Sequence, residues 1–240
     1  MRKKREYALL PLFDILRDDS ISPEQRLGFM PGFAFFIMAF GDLNKYVLRT
    51  DNPLDACQEQ VNMHTLEDDH HWPWYLEDLQ KLGYDRPTTM VESLRDLWSD
   101  EHRQARLLMY RMCAMVDGAN GTERLAIIEA IEETGHVLFS LTARLAHAIH
   151  GRTGTDLRYC GDFHLALESG HAQNGDHAEL ARISLSEDLR LRCLTLVDQV
   201  FEAFTAWTYE AADHIRRASA DKLFIPPAIT APIAYSARFV

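Results

Sequence analysis

The sequence has no CxxC pair, no glycine-rich phosphate loop and no extended basic face. Each absence removes a class of function. The four cysteines, Cys57, Cys113, Cys160 and Cys193, stand far apart in 240 residues. A chain of this length needs no disulfide framework, and zinc-ribbon chemistry needs paired cysteines. No GxSxG, P-loop or GxGxxG motif occurs, so nothing signals a nucleophile elbow, a nucleoside triphosphate or a dinucleotide. The net charge is -11 and the only basic cluster is residues 2–5, so no nucleic-acid surface is expected. The most apolar run, residues 28–41, is too short to cross a bilayer and contains Pro31. The start lacks the apolar core and small-residue cleavage site of a signal peptide. A cytoplasmic protein with no membrane attachment is the expectation.

No linker rich in proline, glycine or serine divides the chain, and it is long enough for one well-buried core. The expectation is a single helical domain over residues 1–240, with an extended, proline-containing tail from about residue 222. Amphipathic stripes with turn punctuation recur throughout, and no strand pattern or tandem repeat is seen. A first helix is predicted over 6–17. Ser22-Pro23-Glu24 then caps a second, apolar nearly all round through Phe29, Phe33, Phe36, Ile37 and Phe40, and bent at Pro31-Gly32. Residues 50–53 break the chain and cap a helix over 54–82. Pro73 deprives the Asp69 carbonyl of its partner and should kink that helix. Thr88 or Thr89 starts the next, whose apolar stripe runs from Val91 through Leu94, Leu97, Trp98, Ala105 and Leu108 to Met112. Thr122 caps a long helix to about His150. Residues 151–161 connect it to a helix over 162–174, and Ser186-Glu187-Asp188 starts the last long one.

Histidines and acids concentrate in three places. Residues 62–79, NMHTLEDDHHWPWYLEDL, hold His64, Asp68 and His71, spaced four and seven apart and so returning to one helical face. Residues 163–171, FHLALESGH, repeat the spacing with His164, Glu168 and His171. Residues 132–136, EETGH, offer Glu132 or Glu133 with His136. Imidazole nitrogens and carboxylate oxygens on facing helices suit a dinuclear iron or manganese site in a bundle. A histidine on a helix is more often a solvated polar group. Here Met63, Leu66, Trp72, Trp74 and Tyr75 draw the segment inward, where acids and imidazoles need partners. Trp72, Trp74, Tyr75 and Phe139 are candidate pocket walls, with plain core packing as their other reading.

With these residues in view, the chain resembles the heme-oxygenase-like superfamily, and within it the diiron oxidases and oxygenases and their TenA-type relatives. In that diiron family one core helix gives an acid and a histidine seven apart. A second gives a glutamate, and a third gives His-x3-Asp/Glu-x2-His. His164, Glu168 and His171 match the third element, and His71 matches the histidine of the first. Glu132 best matches the middle glutamate, with Glu133 and His136 as rivals. Where the family has an acid seven positions before His71, this chain has His64. That histidine gives a nitrogen ligand, or Glu67 or Asp68 replaces the acid, or the site has lost iron or takes another metal.

The resemblance implies an all-α, heme-oxygenase-like multi-helix bundle. It implies a non-heme diiron oxidase or oxygenase acting with dioxygen on a small organic substrate. The metal residues would be His64, Asp68, His71, Glu132, His136, His164, Glu168 and His171, holding two iron ions, with manganese as the alternative. A homodimer is expected from the long helices and the apolar tail. The competing function is a metal-free TenA-like hydrolase or small-ligand-binding protein, with the same groups as a hydrogen-bonded polar core. Heme fits less well, since one axial histidine would leave the paired acids unexplained.

Overall fold

A computed structural model describes the backbone of residues 2–171 and 184–220, and the side chains of these residues except 168–171, 219 and 220. The expected tail from residue 222 lies outside the described residues. Every regular element among the described residues is helical: α1 (Arg2–Tyr7), α2 (Pro11–Arg17), α3 (Pro23–Arg26), α4 (Ala34–Asp42), α5 (Ala56–Asp68), α6 (Trp72–Lys81), α7 (Met90–Leu97), α8 (Arg103–Val116), α9 (Gly121–Thr153), α10 (Asp162–His171) and α11 (Glu187–Ala220). The all-α class expected from the sequence is therefore observed.

Two helices form the spine, α9 with 33 residues and α11 with 34. At about 1.5 Å per residue each runs roughly 50 Å. They pack on each other, α5 and α10 lie against α9, and α8 lies against α11. The core between them is rich in aromatic side chains: Phe33 stacks on Trp207 at 3.9 Å and on Phe36 at 4.9 Å. Three capping boxes fix helix starts, at Ser22 with Gln25, Thr89 with Glu92 and Asn120 with Glu123. Each satisfies two N–H groups that a helix start otherwise leaves open, and a cap is worth about 1 kcal/mol. Gly154, at φ 72°, ends α9 in the left-handed region that glycine enters without strain.

Several boundaries differ from the sequence reading. The helix over 6–17 is two helices, because Pro11 begins α2 and has no N–H to continue α1. Asp55 caps α5 through the Gln58 N–H at 2.9 Å, two residues beyond the expected break. Asn120 caps α9 in place of Thr122, whose hydroxyl instead meets Cys57 Sγ at 3.5 Å, and α9 runs on to Thr153. The stripe from Val91 to Met112 is split between α7 and α8, and no residue of α7 is buried. The segment 23–48 is long and apolar enough to cross a membrane by length and composition, with mean hydropathy 1.3. It folds as α3, two 3-10 turns, α4 and a π-helical stretch Leu43–Leu48, with Phe29, Phe33 and Phe36 in the core.

The largest correction concerns residues 54–82. This is not one kinked helix but two, α5 and α6, separated at 69–71. Pro73 falls in the first turn of α6, where an N–H has no helical partner to lose, so it starts a helix instead of bending one. Arg49 holds the end of α5: its guanidinium donates to the Thr65 carbonyl at 2.6 Å, Thr65 Oγ1 at 3.1 Å and Asp69 Oδ2 at 2.8 Å. A cation there also offsets the negative end of the helix dipole. Gly41 lets α4 approach the break, since a Cβ on it would stand 3.0 Å from the Asp69 carbonyl oxygen.

Candidate metal centre

The break places His71 at the N-cap of α6, off the α5 face that carries His64 and Asp68. The four-and-seven helical face is thus not formed, yet His71 still turns inward. It is 8% exposed, its ring stacks on Trp74 at 4.5 Å, and its Nδ1 stands 3.9 Å from Asp68 Oδ1. Across the interior, α10 presents His164, 2% exposed. Its Nε2 lies 3.2 Å from His71 Nδ1, and its Nδ1 lies 2.9 Å from the Tyr159 carbonyl oxygen. A carbonyl only accepts, so the bond assigns the proton to Nδ1 and leaves Nε2 with its lone pair toward His71. Burial, partly opposed by the Tyr159 hydrogen bond and the charge of Asp78, lowers the His164 pKa to about 4. His164 is therefore a neutral imidazole at physiological pH.

Tyr159 is itself held in place from α6. Asp78, fully buried, accepts the N–H of Arg158 at 2.7 Å and of Cys160 at 2.8 Å. Burial pushes its carboxyl up, against the pull of those two bonds. Arg158 covers the same corner, its guanidinium 4.4 Å from the Trp74 ring and 4.5 Å from the Phe163 ring. Gly161 closes the connection so tightly that a Cβ on it would stand 2.2 Å from the Leu157 carbonyl oxygen.

The acids come from α5 and α9. Asp68 is 2% exposed, and neither of its oxygens receives a hydrogen bond from an N–H or a hydroxyl among the described residues. Burial first, then the charge of Glu132 and a carboxyl–carboxyl hydrogen bond with it, push Asp68 well above the usual carboxylate range. Two buried carboxyls in contact need a positive charge between them: a shared proton, or a cation. Asp68, His71, Glu132 and His164 line one cavity with Tyr7, Phe33, Phe36, Phe40, Trp72, Thr134, Gly135, Phe139, Tyr159, Phe204 and Trp207. The space open to the centre of a water molecule is about 60 Å³, well above the roughly 10–15 Å³ a cavity needs to hold one water.

The other expected residues fall elsewhere. His64 faces Glu129, with Nε2 3.7 Å from Oε1, and does not line the cavity. Glu133 pairs with Lys4. His136 lies near that pair, outside the lining, with its pKa lowered by burial and then by Lys4. Of the candidate ligands in EETGH, Glu132 is thus the one that lines the cavity. Of the expected walls, Trp72 and Phe139 line it, Trp74 backs His71, and Tyr75 is buried in the core with its hydroxyl on the Met30 carbonyl at 2.6 Å. The side chains of Glu168 and His171 lie outside the described residues. Among those described, no three His, Cys, Asp or Glu side chains stand close enough to hold one ion as placed.

Sequence reasoning missed Asp78 and the Tyr159 carbonyl. Asp78 had a signal, because it sits three positions after Tyr75 on the same buried face. A backbone acceptor in a loop has none. A comparison with protein-family models and with curated proteins finds no match to this chain.

The donor set fits a divalent cation by its chemistry. It combines two carboxyls and two histidines in one cavity. The Nδ1–H of His164 is committed to a carbonyl, the arrangement that orients a metal-ligating imidazole.

Proposed function

We propose that this chain is a non-heme oxidase or oxygenase of the heme-oxygenase-like bundle type, acting with dioxygen on a small organic substrate. It would hold two iron ions, with manganese as the alternative, and work in the cytoplasm as a homodimer. The observation that carries the reading is the Asp68–Glu132 carboxyl pair, buried beside His71 and the neutral His164 in one cavity. Asp68, Glu132, His71 and His164 would form the nucleus of the ligand set, with His64, His136, Glu168 and His171 as the remaining residues the resemblance implies. When bound, the metals supply the redox capacity that dioxygen activation needs. The chain's own work is separable from that chemistry. Asp68 and Glu132 bring negative charge, and His164 keeps its Nε2 lone pair available by holding its proton on Nδ1, which donates to the Tyr159 carbonyl. Phe33, Phe36, Phe40, Phe204 and Trp207 exclude bulk water and give an apolar molecule a place to lie.

The direct His71–His164 hydrogen bond favours one other reading, a metal-free hydrolase or ligand-binding protein with a polar core. A thiaminase-type mechanism has a poor nucleophile here. Cys160 is 1% exposed beside Met30, and burial, then Asp78, push its thiol well above the ordinary range. Anaerobic reconstitution with Fe(II) or Mn(II), followed by metal analysis after desalting, decides between the two. Up to two ions per chain is the expected result. A wild-type chain that retains no metal excludes the oxidase reading.

A further inference from the structure

One lining group has no task in the metal centre. Tyr7, at the end of α1, is 3% exposed and lines the cavity. Its ring is wedged against Phe13 at 4.9 Å and Phe201 at 5.7 Å, so the hydroxyl has little freedom to turn away. That hydroxyl is buried and makes no hydrogen bond among the described residues. Leaving such a group unsatisfied disfavours folding, because the unfolded chain gives it water. Thr134, a hydroxyl on the α9 wall, is already committed to the Ile131 carbonyl at 2.7 Å.

The rest of the cavity narrows what can meet Tyr7. No lysine or arginine lines it among the described residues, and Lys4, the nearby cation, is paired with Glu133. An organic anion would therefore enter apolar surroundings beside Asp68 and Glu132 with no basic side chain to pair with. Phe33, Phe36, Ile37, Phe40, Leu138 and Phe204 favour hydrocarbon. The space is that of a single small ring.

We propose that the cavity takes a small, uncharged, largely apolar molecule carrying one hydrogen-bond acceptor, and that the Tyr7 hydroxyl donates to that acceptor and sets the molecule's orientation. The inference concerns the same cavity as the oxidase reading, and rests on that reading only in treating the bound molecule as a substrate. Tyr7 is then a specificity-determining residue, and burial, which raises its pKa, keeps the phenol in the donor form.

The test uses three molecules built on one six-membered ring: cyclohexanone, methylenecyclohexane of nearly the same shape, and the anion cyclohexanecarboxylate. Each is titrated into the full-length chain, first with chelator and then after metal reconstitution, by the fluorescence of Trp72 and Trp207, which line the cavity. In the chelated chain the ketone should bind about threefold to tenfold more tightly than the alkene, the worth of one hydrogen bond. The carboxylate should bind most weakly. Tyr7→Phe should erase the ketone preference, leave the alkene's Kd unchanged, and raise the Tm of the unliganded chain. A preference that survives in Tyr7→Phe, a carboxylate that binds best, a lowered Tm, or no binding of any of the three overturns the proposal. Failure to take up metal would sink the oxidase reading and leave the ketone preference of the chelated chain intact, so the two failures are distinguishable.

Discussion

Asp68→Asn should change stability in opposite directions with and without metal. The side chain is 2% exposed, and its oxygens receive no N–H or hydroxyl hydrogen bond among the described residues. Its acid partner is Glu132, and two buried carboxyls that must share a proton are less well satisfied than an amide–carboxylate pair, by about 1–3 kcal/mol. Asparagine keeps the shape, carries no charge to repel Glu132, and offers an N–H to it. In the chelated protein the variant should therefore be more stable by about 1–3 kcal/mol, or roughly 2–4 °C in Tm for each kcal/mol in a chain of this size. The metal-loaded wild type gains about 2.7 kcal/mol when free metal is at a hundred times its Kd. The variant, lacking one anionic donor, should gain little of it. Differential scanning calorimetry with chelator and with excess Mn(II) reads both arms. A variant less stable than wild type in chelator would show that Asp68 is already satisfied by the protein. A variant with the full Mn(II) gain would show that Asp68 is not a ligand.

His71→Ala and His171→Ala should each lose bound metal and oxygen-dependent activity, whereas His177→Ala should lose neither, by metal analysis and oxygen uptake. Asp78→Ala strips two buried N–H groups of their acceptor, and urea unfolding should show a loss of about 2–4 kcal/mol. Glu123, partly held up by burial, is brought below its ordinary 4.5 by the Asn120 N–H and by Arg192. Glu123→Gln should therefore cost about 1 kcal/mol at pH 7, a difference that disappears as pH falls below 4.5 through the folded-state value, where the wild type loses the same charge. Sedimentation equilibrium should show a dimer; a monomer at every concentration refutes that expectation.

What could be read from the sequence divides along a physical line. Capping residues act within a single turn, and Ser22 and Thr89 were recognisable because the box spacing is local. At 117–122 several residues could cap, and Asn120 is the one that does, through an equally local box with Glu123. Apolar periodicity gave the helices but not their continuity. The stripe from Val91 to Met112 keeps its period across the join, yet α7 lies on the surface and α8 in the core. The choice between Glu132 and Glu133 rested on Lys4, a residue distant in sequence on α1. The unsatisfied hydroxyl of Tyr7 had no sequence signal, because its significance is the lack of a partner in space.

The break at 69–71 ties these pieces to the site. Had α5 run straight through Asp69 and His70, His71 would have shared a helical face with His64 and Asp68 and pointed where they point. Ending α5 early gives His71 a backbone of its own, so Asp68 and His71 approach the same cavity from different directions. The sequence provides for that ending three times over. Arg49 occupies the Thr65 carbonyl in the last turn of α5 and the Asp69 carboxylate, Pro73 seeds a new helix at once, and Gly41 clears room for the turn of backbone. These three come from separate elements, and Arg49 and Gly41 both meet Asp69. Their common effect is to turn His71 into the cavity with Asp68 and not out to solvent.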